Sequence, residues 1–163
     1  MQKTLPKNPY SVALGWLARR ELSVAQVRRR LLDRGYSNHE VDNTINSLRQ
    51  NLIVDDERTA LAHARTAVSV RLRGRVRVLR DIETLGINRE VACAAVATIF
   101  SDVNEAALLE KALARRLRRE VKDRAQLSRL YQYLLRQGFE PDMAIKALKT
   151  HTKNPEDKSK IQE

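Results

Sequence analysis

Arginine is the residue type in this sequence whose number and grouping could do chemistry, and that chemistry is the binding of anions. The chain of 163 residues carries 31 basic residues against 20 acidic ones, a formal net charge of +11, and 22 of the basic residues are arginines. A guanidinium group presents a planar fork of donors that pairs bidentately with a phosphate or a carboxylate. The sequence therefore predicts a surface for a long polyanion, or for a protein already bound to one.

The candidate binding residues form three groups along the chain, with an acidic pair between the first two. The expected contacts are Arg19, Arg20, Arg28, Arg29, Arg30 and Arg34 in the first group, Arg71, Arg73, Arg75, Arg77 and Arg80 in the second, and Arg115, Arg116, Arg118 and Arg119 in the third. The third group also has a structural interpretation, because cations are favourable near the end of a helix. The pair Asp55 and Asp56 is assigned either to helix capping or to contact with a basic partner surface.

A repeated apolar pattern predicts the elements that position these arginines. Around Gly35, apolar residues lie eight and four residues before the glycine and one residue after it. The pattern occurs three times, as Val27, Leu31 and Tyr36 around Gly35, as Val78, Ile82 and Ile87 around Gly86, and as Leu130, Leu134 and Phe139 around Gly138. The glycines are 51 and 52 residues apart. A period near this length without a strand pattern predicts a tandem helical array.

The pattern predicts that each repeat contains a helix, a tight turn that ends it and a second helix. Ser23 and Gln26 match a capping box, in which a hydroxyl and an amide satisfy unpaired N–H groups at a helix start. Gly35 stands where the chain must turn left-handed, a conformation that glycine adopts without steric cost. Ser37 and Glu40 match a second box. An amphipathic segment before each middle helix adds a third helix to the unit.

These patterns predict an all-α protein of three tandem three-helix repeats that form an elongated, curved array. We expect a loose N-terminus over 1–8, repeats over 9–53, 54–100 and 101–151, and a disordered tail over 152–163. The first helix is expected to end near Glu21, and Asp102 with Glu105 to cap the start of the third repeat. The first repeat shows one extra residue between Gly35 and Val41, compared with the interval from Gly86 to Val91.

Composition argues against several other classes of protein. No apolar run has the roughly 18 to 20 residues needed to cross a bilayer, and the N-terminus lacks the apolar core of a signal peptide, so we expect a cytoplasmic protein. We also expect the protein to be a monomer. The single cysteine, Cys93, cannot form an internal disulfide and is expected to be buried. The sequence has no metal-binding histidine spacing, phosphate loop or nucleophile elbow, so we expect no cofactor, no metal and no enzymatic activity.

Four segments, in this order and spacing, resemble the RecX family of recombinase regulators. They are SVALGWLARRELSVAQVRRRLLDRGYS (11–37), LIVDDERTALAHA (52–64), RGRVRVLRDIETLGI (73–87) and LLRQGFEPDMAIKAL (134–148). The resemblance covers about residues 10–150 and departs from the family pattern at Thr59, where an aromatic residue is common. It implies three tandem three-helix repeats, binding to the RecA filament and to single- and double-stranded DNA, and inhibition of the filament's ATPase, strand-exchange and coprotease activities.

A sequence-independent DNA-binding protein of helix-turn-helix type, without action on RecA, is the alternative. The third helices argue against base reading, because Glu40, Glu90 and Asp142 lie where a recognition helix would approach phosphates. Aromatic residues make up only 4% of the chain, which leaves few aromatic rings on which bases could stack. Trp16 lies among apolar residues and is expected in the core.

Overall fold

The computed structural model describes residues 8–117, 121 and 123–152, and these residues form an all-α fold. In chain order the helices are α1 (Pro9–Leu17), α2 (Val24–Asp33), α3 (Asn38–Gln50), α4 (Asp56–Ser69), α5 (Arg75–Glu83), α6 (Arg89–Phe100), α7 (Glu105–Ala114), α8 (Arg124–Gln137) and α9 (Pro141–Thr150). One isolated β-bridge joins Val121 to Thr152. The predicted fold class is confirmed.

The helices pack in three successive groups, which we call the first unit (α1–α3), the second unit (α4–α6) and the third unit (α7–α9). Within each group every helix contacts the other two. The repeated apolar positions explain this packing, because all of them are buried: Val27, Leu31, Tyr36, Val78, Ile82, Ile87, Leu130, Leu134 and Phe139. The middle helices α2, α5 and α8 therefore present equivalent faces to their neighbours.

The three glycine turns are equivalent down to the first turn of the following helix. Gly35, Gly86 and Gly138 have φ angles of 92°, 76° and 90°, the left-handed conformation that the sequence predicted. Six residues after each glycine, Val41, Ala92 and Ala144 are fully buried. The expected extra residue in the first unit is therefore wrong: the equivalent of Val41 is Ala92 and not Val91.

Side chains cap the helix starts largely as predicted. Both capping boxes form, with Ser23 and Gln26 at α2 and Ser37 and Glu40 at α3. Hydrogen bonds from the backbone and hydroxyl of Ser37 lower the pKa of the exposed Glu40 carboxyl. At the third unit the prediction is wrong, because the side chain of Asn104, not Asp102, accepts the N–H of Ala107.

Three further expectations need correction. The first helix ends at Leu17 and not near Glu21. The Cys93 side chain is exposed rather than buried, since it lies on the outer face of α6. Thr152, which we placed in the tail, is buried, and its hydroxyl donates to the carbonyls of Leu148 and Lys149. The rest of the expected tail and residues 1–7 lie outside the described residues.

The apolar residues form two separate cores. The first unit has its own core, which includes Ala13, Leu31 and Ile45. The second and third units share one core that runs from Ala60 to Leu148. The sequence repeat suggests three equal blocks, but packing divides the chain into a first unit and a larger body made from the other two.

Two junctions join the units, and in each a middle helix meets the glycine turn of the next unit. At the first junction the Ser23 hydroxyl donates to the carbonyl of Leu85, and a Cβ added at Gly86 would lie 2.5 Å from the Cβ of Ala25. At the second junction the N–H of Gly74 donates to the carbonyl of Gln137 at 2.9 Å. A Cβ added at Gly74 would lie 2.3 Å from the carbonyl oxygen of Gly138. Backbone therefore meets backbone at the second junction.

Replacing Asp56 with alanine should loosen the first junction. One Asp56 carboxylate oxygen accepts the N–H of Val24, in the first turn of α2, at 2.9 Å, so the side chain ties the second unit to the first. Loss of this bond should lower the free energy of unfolding by about 1–2 kcal/mol, as for other lost caps. Urea denaturation measures the effect. Asp102→Ala is the control, since Asp102 is exposed and caps no helix; an equal loss in both variants would contradict the prediction.

Candidate binding surface

Two of the predicted arginines of the first unit lie beside the indole ring of Trp16. The guanidinium carbons of Arg30 and Arg34 stand 5.7 and 5.2 Å from the ring centroid. Arg28 pairs with Asp42 of α3, and Arg29 is exposed. Trp16 is half-buried, so it belongs to the edge of the core and also supports two cations by cation–π contact.

Three predicted arginines of the second unit form ion pairs within the chain. Arg73 and Arg77 both pair with Asp81 of α5, the latter at 2.9 Å. Arg75 pairs with Glu105 at 2.9 Å, and its guanidinium carbon lies 4.9 Å from the ring centroid of Phe100. Arg75 thus joins α5 to α7, and Arg73 and Arg77 stabilise α5, so we infer a structural role for these side chains.

A second set of predicted arginines is exposed and lacks an ion pair within the described residues. Arg29 and Arg80 occupy equivalent positions, six residues before Gly35 and Gly86. Arg71 follows α4, and Arg19 and Arg20 follow α1. These side chains can meet a partner without breaking an internal contact. Their distribution over two units favours an extended partner.

The third group is divided between structure and surface. Arg115 donates to the carbonyl of Val70 at 3.1 Å, which joins the third unit to the second. The guanidinium carbon of Arg116 lies 5.1 Å from the ring centroid of Tyr133. Arg118 and Arg119 lie outside the described residues, so their role stays a prediction.

An open groove along α8 collects three arginines and a tyrosine. Its volume is about 610 Å³, and its wall includes Arg116, Arg129, Tyr133 and Arg136. We call it the α8 groove. Arg129 and Arg136 were missed by the sequence analysis, although their spacing of seven residues, with Tyr133 between them, places all three on one face of a helix. Guanidinium groups beside an aromatic ring suit a phosphate backbone and an adjacent base.

The acidic pair divides between two helices. Asp55 caps its own helix, because its carboxylate accepts the N–H groups of Glu57 and Arg58. Asp56 instead accepts from Val24 of the first unit. Both carboxylates therefore have structural partners, which fits the capping assignment.

The described residues contain no group of three or more side chains of the types that hold a metal ion. No single helix among them has the length and apolar composition to span a membrane. The consecutive helices α6 and α7 meet those criteria only as a pair bent by 87°. Their apolar residues Ala92, Phe100 and Leu109 are buried in the shared core.

The three successive three-helix units define an all-α protein of the helical-repeat class. A family model described as the first three-helix domain of RecX matches residues 10–48. The regulatory protein RecX of Thermotoga petrophila is 30% identical over 84% of this chain and 80% of its own length. The regulatory protein RecX of Treponema pallidum is 30% identical over 86% of this chain and 84% of its own length. The chain belongs to the RecX family.

Other relatives are longer, and solved structures show the same fold. The RecX of Geobacillus kaustophilus is 32% identical over 92% of this chain but only 57% of its own length. This chain thus spans little more than half of that relative. A crystal structure of a regulatory protein RecX superposes with a TM-score of 0.72 at 23% identity, covering 87% of this chain and 70% of the other. A crystal structure of RecX from Lactobacillus salivarius superposes with a TM-score of 0.69 at 21% identity, covering 87% of this chain and 95% of the other.

Proposed function

We propose that this protein binds the RecA filament on DNA and slows its ATP hydrolysis, strand exchange and coprotease activity, and so regulates recombination and the response to DNA damage. The chain belongs to a family whose members are named regulatory proteins, which supports a regulatory role for this protein. The observation that carries the binding mode is the set of exposed arginines that form no ion pair with another described residue, spread over all three units. Examples are Arg29, Arg80 and Arg129.

The proposed mechanism uses binding energy alone. Side chains on successive units would contact DNA phosphates and carboxylates of adjacent recombinase subunits, since guanidinium geometry suits both. A protein that crosses several subunits opposes the rearrangements that ATP turnover and strand exchange require. The protein itself performs no chemistry in this proposal and needs no cofactor. It acts in the cytoplasm, where the filament forms.

The test is to add the purified protein to RecA assembled on single-stranded DNA and to follow ATP hydrolysis and strand exchange. Both rates should fall as the ratio of protein to RecA rises, because each bound molecule restrains several subunits. ATP hydrolysis by a DNA-independent ATPase is the control and should not change. Unchanged RecA rates at stoichiometric amounts, with DNA binding intact, would replace this proposal with the sequence-independent DNA-binding alternative.

A further inference from the structure

A cavity of about 380 Å³ lies at the first junction, between the first and second units. Arg20 and Glu21 line it from the connection between α1 and α2, and Gln26 lines it from α2. Its opposite wall includes His63 of α4 and Arg71, which follows α4. We call it the junction cavity. Its walls thus come from both the first and the second unit.

The junction cavity has positive charge without a counter-ion. Arg20 and Arg71 are exposed, and neither forms an ion pair within the described part of the chain. The one carboxylate in the wall, that of Glu21, is taken by Arg58, whose Nε and Nη2 lie 3.1 and 3.3 Å from its oxygens. Two guanidinium groups are therefore free to bind an anion.

Neutral polar side chains line the same cavity, among them Gln26 and His63. The side-chain oxygen of Gln26 accepts the N–H of Ser23, which leaves its amide nitrogen as a donor. The Nε2 atom of His63 is buried and has no hydrogen-bond partner among the described residues. A buried polar atom without a partner is unfavourable, and such atoms often mark a functional position. Nε2 donates whenever it carries a proton, as it does in the imidazolium, so Gln26 and His63 can both add donors to those of the two arginines.

We propose that the junction cavity binds an oxyanion, and that its natural ligand is a backbone phosphate of bound nucleic acid. Donors from separate elements suit a tetrahedral group with several oxygens better than a planar carboxylate. The volume also leaves room for the sugar on either side of the phosphate. The identification of nucleic acid rests on the proposed function, whereas the oxyanion chemistry rests on the cavity alone. A bound phosphate would hold the first unit at a fixed angle to the other two.

Protonation of His63 should be coupled to this binding. Burial lowers the pKa of His63, with a further decrease from Arg71 and Arg73 and an opposing increase from Asp81. Of the charged groups in the wall, Arg20 disfavours the imidazolium, and the charge of Glu21 is compensated by Arg58. An anion in the cavity favours the imidazolium, so it should raise the pKa of His63. Binding should therefore tighten as the pH falls through and below about 6.5, the ordinary pKa of a histidine.

The first experiment uses inorganic phosphate and pyrophosphate as probes, at constant ionic strength, and follows the three histidine ring signals by NMR. The His63 signals should shift with saturation, and those of His39 and His151 should not. Arg20→Gln and Arg71→Gln should abolish the shift. The matched controls Arg19→Gln and Arg65→Gln should retain it, because those arginines are exposed and lie outside the cavity wall. No shift at His63, or equal shifts at all three histidines, would overturn the oxyanion site.

The second experiment measures binding of a single-stranded oligonucleotide by fluorescence anisotropy. Arg20→Gln or Arg71→Gln should weaken binding about tenfold, as expected for a lost charge-assisted hydrogen bond, and Arg65→Gln by less than about threefold. His63→Gln should remove the dependence on pH. If phosphate shifts His63 but Arg20→Gln and Arg65→Gln affect oligonucleotide binding equally, nucleic acid is not the ligand. Inhibition of RecA, measured separately on the same variants, reports on the proposed function independently.

Discussion

Replacing both Arg129 and Arg136 with glutamate is expected to weaken binding to single-stranded DNA by about 100-fold at moderate salt. The two side chains project from one face of α8 into the α8 groove. Each substitution removes a phosphate contact and introduces repulsion. The slope of log affinity against log salt concentration should become shallower by about 1.4, since each lost contact with a single strand contributes about 0.7. Fluorescence anisotropy at several salt concentrations measures both quantities.

The control for this variant changes the net charge equally at other places. Arg65 on α4 and Lys111 on α7 are exposed and lie outside the α8 groove. The double substitution Arg65→Glu and Lys111→Glu should weaken binding much less and leave the salt slope nearly unchanged. If both double variants bind equally weakly, net charge rather than the groove determines affinity.

Gly138→Ala is expected to be the most destabilising single methyl addition in this chain. Its φ of +90° disfavours any L side chain, and an added Cβ would lie 2.3 Å from the backbone nitrogen of Arg77. Left-handed strain of roughly 1–2 kcal/mol and a steric cost of roughly 1–3 kcal/mol should together lower the free energy of unfolding by about 2–5 kcal/mol. Urea denaturation monitored by circular dichroism measures the loss.

Substitutions at two other glycines separate the cost of left-handed backbone strain from the cost of steric contact. Gly35 has a similar φ of +92°, but nothing lies within 4 Å of an added Cβ, so Gly35→Ala should cost only the strain of roughly 1–2 kcal/mol. Gly15 lies inside α1 with open space around it, and Gly15→Ala should stabilise the protein by about 0.5–1 kcal/mol. Equal losses for Gly138→Ala and Gly35→Ala would show that the second junction is not tightly packed.

The fold could be predicted from the sequence because its signals are local. Apolar spacing, capping boxes and the glycine turn each act within a few residues of chain, and all were confirmed at Ser23, Gly35 and Ser37. The error at the third unit has the same local origin. Asn104 and Asp102 both suit an N-cap, and only the backbone conformation decides between them. The division into two cores was not predicted, because apolar periodicity does not show which units share an interior.

The binding surface was less predictable because arginine is long and its partner is set by the tertiary fold. The dense group around Gly74 suggested projecting side chains, yet Arg73 and Arg77 converge on Asp81. Arg129 and Arg136 seemed isolated in the sequence but share the wall of the α8 groove. Counting charge identifies the class of partner, whereas the folded chain decides which guanidinium groups are available.

The contrast between the two junctions determines where the array can bend. At Gly74 and Gly138 the main chains touch directly, and the second and third units share one core. At the other junction Ser23 and Asp56 form side-chain hydrogen bonds beside an open space. Deformation should therefore concentrate at that single hinge, so that the first unit rotates as a whole against the rigid body formed by the other two units.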